Sequence, residues 1–419
     1  MVDRRKTTNN LDWSVILLYA VLVCIGWLVV YASSYDETRT FFDSRNLYIR
    51  QLIWIATSVI LIIFILALDN KIFTSLAYFV YGLVILLLIG VFFFGHEVNG
   101  NKNWFEIGTF QIQPSEFAKF SVALALAKVM DNPVFNIKKN THRFFALAVI
   151  FFPAALILLQ GDTGSALVFL AFFLVMYRFG LPGEILLFGL GILTLSVLSL
   201  IMNKYALVIA LVVLGSAFIY IIRRNRQAII IVSVILVASV GYVFATDYAF
   251  NNLLKEHQRE RIDVMLGKEV HKKDADYNVR QSKIAIGSGG FLGKGPLQGT
   301  LTKYNFVPEQ HTDFIFCTIG EEYGFWGTTL FILLFLALLF LILNMAERQR
   351  SRFSRIYAYG VASVLFFHFM INVGMTIGLA PVIGIPLPFI SYGGSSLWSF
   401  TILLFILVKL DADRLAVLR

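Results

Sequence analysis

The sequence predicts an all-α protein, a bundle of helices that cross a membrane. Of its 419 residues, 58% are hydrophobic, and the mean hydropathy is +0.76. Only 15% are charged, well below the roughly 25% that is usual in soluble domains. Several apolar runs reach the roughly 20 residues that a helix needs to cross a bilayer. These observations exclude a soluble globular protein.

The apolar runs predict about twelve spanning helices in one membrane domain over 1–419. Their expected positions are 13–32, 49–68, 73–94, 112–130, 144–161, 164–179, 183–202, 205–222, 228–246, 314–344, 355–379 and 395–412. Between the ninth run and the last three lies the long polar segment 247–313. Loops well beyond a dozen residues without regular structure are usually functional or disordered. Because this one is rich in glycine, aromatic residues and charges of both signs, we expect it to carry a site.

The charge distribution indicates orientation rather than nucleic-acid binding. The net charge is +9, but the basic residues form short clusters at helix ends, such as Arg4-Arg5-Lys6 and Arg223-Arg224. Most of these clusters fall on one side of the predicted bundle. The positive-inside rule then puts both termini in the cytoplasm and 247–313 outside the cytoplasmic membrane. The two cysteines, Cys24 and Cys317, lie in or beside apolar runs at distant positions, and they show neither the spacing of a metal site nor a disulfide framework.

Two ionisable residues are expected inside the membrane boundary. The sequence Gln113-Pro-Ser-Glu116 starts a predicted helix, with Pro114 in the first turn, where its missing N–H costs nothing. Glu116 and Lys119 are three residues apart, so they share one helix face and are expected to pair. Such groups cost about 2.5–3.5 kcal/mol each to insert into a membrane, and we therefore favour a functional role for both.

Three further features lie in or beside the predicted helices. Asp162, in the turn Gln160-Gly-Asp-Thr-Gly164, is expected either to cap the next helix or to bind a ligand. His368 and Asn372 are four residues apart in an apolar run, and we favour a hydrogen bond between helices for that pair. The segment 378–395 contains Pro381, Pro386 and Pro388 and is expected to form an irregular turn that lines a cavity.

The loop supplies the groups that sugar transfer requires. A hydroxyl acceptor needs a carboxylate base, and a phosphate leaving group needs cations or a metal ion. The acids are Asp274, Asp276, Glu309 and Asp313, and the donors are Arg261, Lys294, Lys303 and His311. Mixed charges of this kind most often belong to a solvated loop. The residue types alone do not decide between a site and such a loop.

Seven separated motifs resemble the SEDS family of shape, elongation, division and sporulation proteins. They occur in the expected order over most of the chain, and Gly293-Lys-Gly295 favours the elongation branch of the family. Members usually have ten helices, so the resemblance implies an inserted helix pair within 183–246. The motifs are Gln113-Pro-Ser-Glu116, Gln160-x-Asp162-x-Gly164, Tyr277-Asn-x-x-Gln281-Ser282, Ile284-Ala-Ile-Gly-Ser-Gly-Gly290, Val307-Pro-Glu-Gln-His-Thr-Asp-Phe314, Gly320-Glu-Glu322 and Ile385-Pro-Leu-Pro-Phe-Ile-Ser-Tyr-Gly-Gly394.

The resemblance implies a peptidoglycan glycosyltransferase that polymerises lipid II for cell elongation and shape. It also implies a class B penicillin-binding protein as transpeptidase partner, the elongation machinery, and a divalent cation, Mg or Mn. Nucleic acid is not an expected partner. The residues expected to bind substrate are Glu116, Lys119, Gln160, Asp162, Gln281, Ser282, Lys303, Glu309, His311 and Asp313.

The general base is where this chain departs from the family pattern. The base is commonly an Asp six residues before the position of Tyr277, and here that position is His271. We therefore expect Asp274, or as the alternative Asp276, to take the role. Two other functions stay open: a flippase or carrier for lipid II, and a non-catalytic scaffold that activates a transpeptidase.

Overall fold

The computed structural model describes residues 10–35, 42–43, 45–98, 101–108, 110–252, 259, 262–263, 275–304 and 306–414. The chain forms two compact units. The first comprises Met1–Gly180 and Tyr277–Arg419, and the second comprises Leu181–Asp276. The single domain expected over 1–419 stays a prediction.

The first unit contains most of the helices. In chain order they are α1 (Trp13–Ser34), α2 (Leu47–Ala67), α3 (Asn70–Ser75), α4 (Ala77–Phe94), α5 (Pro114–Asp131), α6 (Asn140–Leu159), α7 (Thr163–Val168) and α8 (Phe172–Arg178). After the second unit follow α12 (Ala275–Ser288, whose first two residues precede the boundary), α13 (Thr300–Lys303), α14 (Ile315–Arg348), α15 (Arg352–Thr376) and α16 (Gly394–Ala412).

The second unit is built from three apolar helices, α9 (Gly183–Ile201), α10 (Lys204–Ile221) and α11 (Arg226–Asn252). Helix α11 packs against both of the others. Nearly all of their side chains are exposed or half-buried, as expected for helices whose surroundings are lipid. The inserted helix pair expected within 183–246 stays a prediction.

Ten of the described helices are long and apolar enough to cross a membrane, and the chain is a multi-pass membrane protein. The remaining two predicted spans correspond to α5 and to Thr163–Arg178. Helix α5 includes Glu116, Lys119 and two more charged residues, and Thr163–Arg178 is interrupted by a 3-10 turn at Phe169–Ala171. The count of twelve spans stays a prediction.

The core of the first unit lies around α5, α15 and α16, which contact one another. In the most apolar stretch of α16, 89% of the residues are buried, against 17% in α2. Small residues on α5 allow close packing: Ala123 and Ala127 are almost fully buried, and Gly360 of α15 lies against Ala123. The polar residues of α5 and α15 are therefore held inside protein rather than in lipid.

An ion-pair network joins several helix ends at one side of this unit. Arg348, at the end of α14, binds Asp12 before α1 at 2.7 Å and Asp411 of α16 at 2.5 Å. Gln349 and Arg414 also donate to Asp411. The start of α1 and the end of α16 therefore lie on the same side of the unit.

Some local structure differs from the sequence expectation. Residues 96–112 form a three-stranded antiparallel sheet, with β1 His96–Val98, β2 Asn101–Ile107 and β3 Phe110–Ile112. The segment 247–313 is partly helical, because α11 extends to Asn252 and α12 and α13 follow. Periodic apolar runs predict the long helices. These short elements depend on contacts between residues that are distant in sequence, which a local pattern does not predict.

Candidate functional site

A buried polar cluster on α5 and α15 includes the two intramembrane residues singled out by sequence. Lys119 Nζ lies 2.6 Å from Glu116 Oε2, and the exposed fractions are 1% for Lys119 and 2% for Glu116. The three-residue spacing predicts this pair. The Lys119 ammonium also lies 3.2 Å from His368 Nε2 and 4.5 Å from the ring centre of Phe400. His368 Nδ1 lies 3.1 Å from the carbonyl oxygen of Pro386.

Asp162 holds a second polar cluster and also caps a helix. Its Oδ1 accepts the backbone N–H of Ser165 at 2.9 Å, which is an N-cap contact for α7. Its Oδ2 accepts from Ser165 Oγ at 2.7 Å, Gln113 Nε2 at 3.0 Å and Asn103 Nδ2 at 3.3 Å. Thus the capping interpretation is confirmed, and the carboxylate also joins the loop before α5 to the start of α7.

Gln160 is buried beside this cluster but binds elsewhere. Its Nε2 donates to the carbonyl of Leu88 in α4 at 2.8 Å. The C-terminal end of α6 is thereby joined to α4. No described contact connects the Gln160 side chain to the Asp162 carboxylate.

The motif from Glu309 to Asp313 forms a turn held by buried hydrogen bonds. Gln310 is fully buried, and its Nε2 donates to the carbonyls of Thr302 at 2.6 Å and Ser33 at 2.8 Å. Glu309 Oε2 accepts from Thr312 Oγ1 at 2.8 Å. The Glu309, His311 and Asp313 side chains are half-buried. A rigid turn therefore presents two acids and a histidine at a partly solvated surface.

The proline-rich segment after α15 connects these clusters. Its Ser391 Oγ donates to the carbonyl of Thr312 at 2.6 Å, and its Tyr392 N–H donates to the carbonyl of His311 at 2.9 Å. Asn372 donates to the carbonyls of both Ile385 and Asp313 at 2.8 Å. This segment, 378–393, is therefore seated directly under the Glu309–Asp313 turn.

The same segment reaches the other two clusters. The carbonyl of Pro386 accepts from His368 next to Lys119, as described above. A Cβ at Gly164 would lie 2.5 Å from the carbonyl oxygen of Ile383, so only glycine permits α7 to approach so closely. The irregular backbone predicted at 378–395 is observed over 378–393, whereas 394–395 begin α16. This segment brings the Lys119, Asp162 and Glu309–Asp313 clusters onto one piece of chain.

The remaining candidates lie on the loop helices or outside the described residues. Ser282 is fully buried and donates to the carbonyl of Thr376 at 2.9 Å. Gln281 is half-buried on α12, and Lys303 is exposed at the end of α13. Asp274 lies outside the described residues, as does His271. Asp276 lies in the first turn of α12, and its side chain is outside what the structure describes.

The local pattern did not reveal several residues that belong to these clusters. The hydrogen bond between helices that the sequence favours for His368 and Asn372 is confirmed for His368, whose partner is Lys119 of α5. Asn372 instead donates to the backbone carbonyls of Asp313 and Ile385. Glu321 belongs to the Gly320-Glu-Glu322 motif, and its sequence context gives no individual role to this residue. Its carboxylate is fully buried and binds Lys294 at 2.6 Å. Two adjacent acids at the start of an apolar run were the available signal.

The pKa of His311 is shifted by its surroundings. Burial lowers the pKa of the imidazole below its usual value, and the negative charge of Glu309 opposes that shift. The ring lies edge-on to Tyr392, with 6.1 Å between ring centres. Burial therefore favours the neutral form of the His311 imidazole.

The donor set of the turn suits a hard cation only in part. Mg²⁺ prefers carboxylate oxygens, and Glu309 and Asp313 supply them; it commonly takes one or two carboxylates with waters and substrate phosphates. Among the described residues, no group of three or more His, Cys, Asp or Glu side chains comes together to hold a metal. A cation at this turn would therefore depend on phosphate oxygens of a substrate.

Comparison with known proteins places the chain in a family. The FTSW_RODA_SPOVE family of cell cycle proteins matches residues 12–206 and 178–415. The peptidoglycan glycosyltransferase RodA of Treponema pallidum is 32% identical over 98% of this chain and 100% of its own length. The peptidoglycan glycosyltransferase MrdB of Escherichia coli K12 is 32% identical over 93% of this chain and 90% of its own.

Solved structures agree with this assignment. A chain from a peptidoglycan synthase complex, described as coordinating polymerization and crosslinking, aligns with a TM-score of 0.67 and 27% identity over 96% of this chain and 98% of that one. The Thermus thermophilus rod shape determining protein RodA aligns with a TM-score of 0.61 and 25% identity over 96% and 97%. The chain therefore belongs to the FtsW/RodA/SpoVE family, the SEDS family named above, and is similar to RodA along nearly its whole length.

Proposed function

We propose that this protein is a peptidoglycan glycosyltransferase that polymerises lipid II into glycan strands for cell elongation. Full-length relatives that carry this activity in their names support the proposal. The structural observation that carries it is the seating of the Glu309–Asp313 turn on segment 378–393, next to membrane-embedded helices. A lipid-linked sugar has an apolar tail and a polar head, and such a boundary suits both parts.

The reaction needs one proton acceptor and a stabilised leaving group. The acceptor 4-hydroxyl oxygen attacks the anomeric carbon of the growing chain, and the bond from that carbon to the pyrophosphate oxygen breaks. The proton passes to a carboxylate, and the electron pair leaves with the lipid pyrophosphate. We propose Asp274 as that base, with Asp276 as the alternative. His311 and Lys303 are proposed to donate hydrogen bonds to substrate oxygens.

The other residues proposed for the substrate site act mainly by holding the surrounding protein in place. Glu116, Lys119, Gln160 and Asp162 are buried and bind one another or nearby protein groups, so they fix the backbone on which the substrate rests. Ser282 holds α12 against the end of α15 through the carbonyl of Thr376, and Gln281 is half-buried next to it. Since groups held in the productive geometry contribute much of an enzyme's rate, loss of these contacts is expected to lower turnover.

A divalent cation, Mg²⁺ or Mn²⁺, is proposed as cofactor, with Glu309 and Asp313 as the carboxylates that would hold it. When bound, such an ion neutralises charge on the pyrophosphate oxygens. Removal by EDTA is expected to abolish polymerisation, and either ion should restore it. Activity that persists in excess EDTA would contradict this part of the proposal.

The protein is proposed to work in the bacterial cytoplasmic membrane with a class B penicillin-binding protein and the elongation machinery. The basic clusters and the shared side of α1 and α16 support cytoplasmic termini. Segment 247–313 is then on the outer face, where a transpeptidase domain would receive the new strand.

The test is a polymerisation assay with purified protein, its transpeptidase partner, lipid II and Mg²⁺. Glycan ladders are compared for the wild type, Asp274→Asn, Asp276→Asn and the double variant. Asp247→Asn, an acid paired with Lys204 in the second unit, is the matched control and should retain activity. Loss of the ladder with one substitution identifies the base, and full activity in the double variant refutes both assignments.

Failure of the wild type separates the alternatives. If it binds the transpeptidase but makes no glycan, the scaffold function is favoured, and His271→Asp tests whether a missing base is the cause. If it moves lipid II across liposomes without making glycan, the flippase function is favoured. Either outcome would refute the proposed glycosyltransferase activity.

A further inference from the structure

The first turns of α14 carry a fully buried acid that binds a separate stretch of the loop. Glu321 Oε1 accepts from Lys294 Nζ at 2.6 Å and from the backbone N–H of Leu301 at 2.9 Å. Its Oε2 accepts the backbone N–H of Thr302 at 2.9 Å. Hydrogen bonds to a carboxylate are shorter and stronger than neutral ones. One side chain therefore binds both ends of the segment 294–302.

The backbone around Glu321 also binds the loop segment 294–302 at close range. The carbonyls of Glu321 and Glu322 accept the N–H groups of Lys294 and Gly295, each at 3.0 Å. A Cβ at Gly293 would lie 2.1 Å from the carbonyl oxygen of Glu322, and a Cβ at Gly299 would lie 3.0 Å from Glu321 Oε2. Only glycine allows the loop to approach this closely at both points.

A continuous series of hydrogen bonds runs from this acid to the Glu309–Asp313 turn. Glu321 binds the N–H of Thr302, and the carbonyl of Thr302 accepts from Gln310 Nε2 at 2.6 Å. All three residues are fully buried. Gln310 lies between Glu309 and His311, so its position sets where the side chains of the turn point.

We infer that Glu321 is a positioning residue, which holds the Glu309–Asp313 turn in its working geometry through Thr302 and Gln310. The inference rests on the proposed function for its catalytic consequence. The described hydrogen bonds of the Glu321 carboxylate go to the segment 294–302 rather than to the acids of the turn. Its effect passes through contiguous packed and hydrogen-bonded groups, the kind of connection that carries coupling between sites.

The decisive variant is Glu321→Gln, which keeps the shape of the side chain. It removes the charge that binds Lys294 and places an N–H₂ group where backbone N–H donors already point. The expected result is a fall in kcat on the order of 100-fold, the loss that a displacement of about 1 Å can cause. The KM for lipid II should change far less. Amide hydrogen exchange over 309–313 should become faster.

The matched control is Glu347→Gln at the C-terminal end of α14, on the other side of the non-helical backbone at Gly324. Glu347 pairs with Arg178 at 2.8 Å, and both side chains are 55% exposed, so its loss should leave kcat and exchange over 309–313 unchanged. Lys294→Met is a milder second variant that keeps the Glu321 carboxylate and its backbone donors. Its kcat should lie between those of the wild type and Glu321→Gln. If Glu321→Gln fails to fold, Lys294→Met provides the test in its place.

A double-variant cycle tests the route of the effect. Gln310→Met has a similar volume but lacks both donors. Combined with Glu321→Gln, it should lower kcat no further than the more damaging single variant, because both interrupt one series of contacts. Additive losses overturn the inference, as does unchanged exchange over 309–313 in Glu321→Gln. If the wild type polymerises lipid II and Glu321→Gln is equally active, the positioning role of Glu321 is refuted and the proposed function is not. If the wild type is inactive, the proposed glycosyltransferase function itself is refuted.

Discussion

Lys119 Nζ and His368 Nε2 lie 3.2 Å apart in the interior of the bundle. Because His368 Nδ1 faces the carbonyl of Pro386, the proton of a neutral imidazole is assigned to Nδ1, and Nε2 accepts from the ammonium. Lys119 therefore has a carboxylate on one side and an imidazole acceptor on the other. This arrangement places a charged pair in the protein core with its hydrogen-bonding groups satisfied.

The first prediction concerns the stability of that charged pair. Lys119→Met leaves the Glu116 carboxylate buried without its cation and should lower stability by about 3–5 kcal/mol. Glu116→Met combined with Lys119→Met removes both charges and should recover most of the loss, since apolar replacements of a buried pair are often neutral. Thermal unfolding in detergent measures both. A double variant as unstable as the sum of the two singles would contradict the argument.

The Glu116–Lys119 pair also shows how far the sequence alone could go. Both residues lie on one helix, so a three-residue spacing and an apolar context are enough to predict their contact. The long helices and the Asp162 cap follow from equally local patterns. His368, the third residue of this buried cluster, is 249 residues away from Lys119 in the sequence. A pattern within one stretch of sequence does not predict a contact over that separation.

The structure of the loop is less predictable from the sequence because its contacts also join residues that are distant in the chain. Helix α12 begins among polar residues, and the sheet at 96–112 has strands of only three to seven residues. Glu321 binds groups 19 to 27 residues before it. Such contacts depend on how the chain returns on itself. The sequence motifs identified the turn at Glu309–Asp313, but not the buried groups that hold it.

The second prediction concerns the space beside Asp313. Gly384 has φ +74°, and a Cβ there would lie 3.1 Å from Asp313 Oδ2. Gly384→Ala adds backbone strain of about 1–2 kcal/mol and moves the carboxylate. The matched control is Gly108→Ala, with φ +63° and no atom near the added methyl.

Both variants should lose similar stability, but only Gly384→Ala should lose polymerisation, by roughly tenfold or more. Steady-state rates with lipid II, measured beside melting temperatures, separate strain from displacement. Equal activity losses in the two variants would show that the position of Asp313 is unimportant.

The third prediction concerns pH. Burial lowers the pKa of His311 in the folded protein, while the unfolded chain has a value of about 6.5. As the pH falls below about 6.5, the unfolded state takes up the proton first, so stability decreases until the folded pKa is reached. His311→Gln removes this contribution.

Melting temperatures at pH 7.5 and 5.5 give the comparison. The wild type should lose more stability on acidification than His311→Gln, while His96→Gln, at an exposed histidine, should behave like the wild type. The same loss in all three proteins would mean that His311 does not carry the effect.

The last prediction separates the two roles of Asp162. Asp162→Asn keeps the Oδ1 acceptor that caps α7, but turns an N–H₂ group toward the Gln113 donor. Stability should fall by about 1–3 kcal/mol. Adding Gln113→Glu exchanges donor and acceptor across the 3.0 Å contact, so the double variant should recover part of that loss. Activity then decides the role: if it recovers with stability, Asp162 acts by joining the loop to α7. Restored melting temperature without restored polymerisation would mean that the substrate requires the Asp162 carboxylate itself.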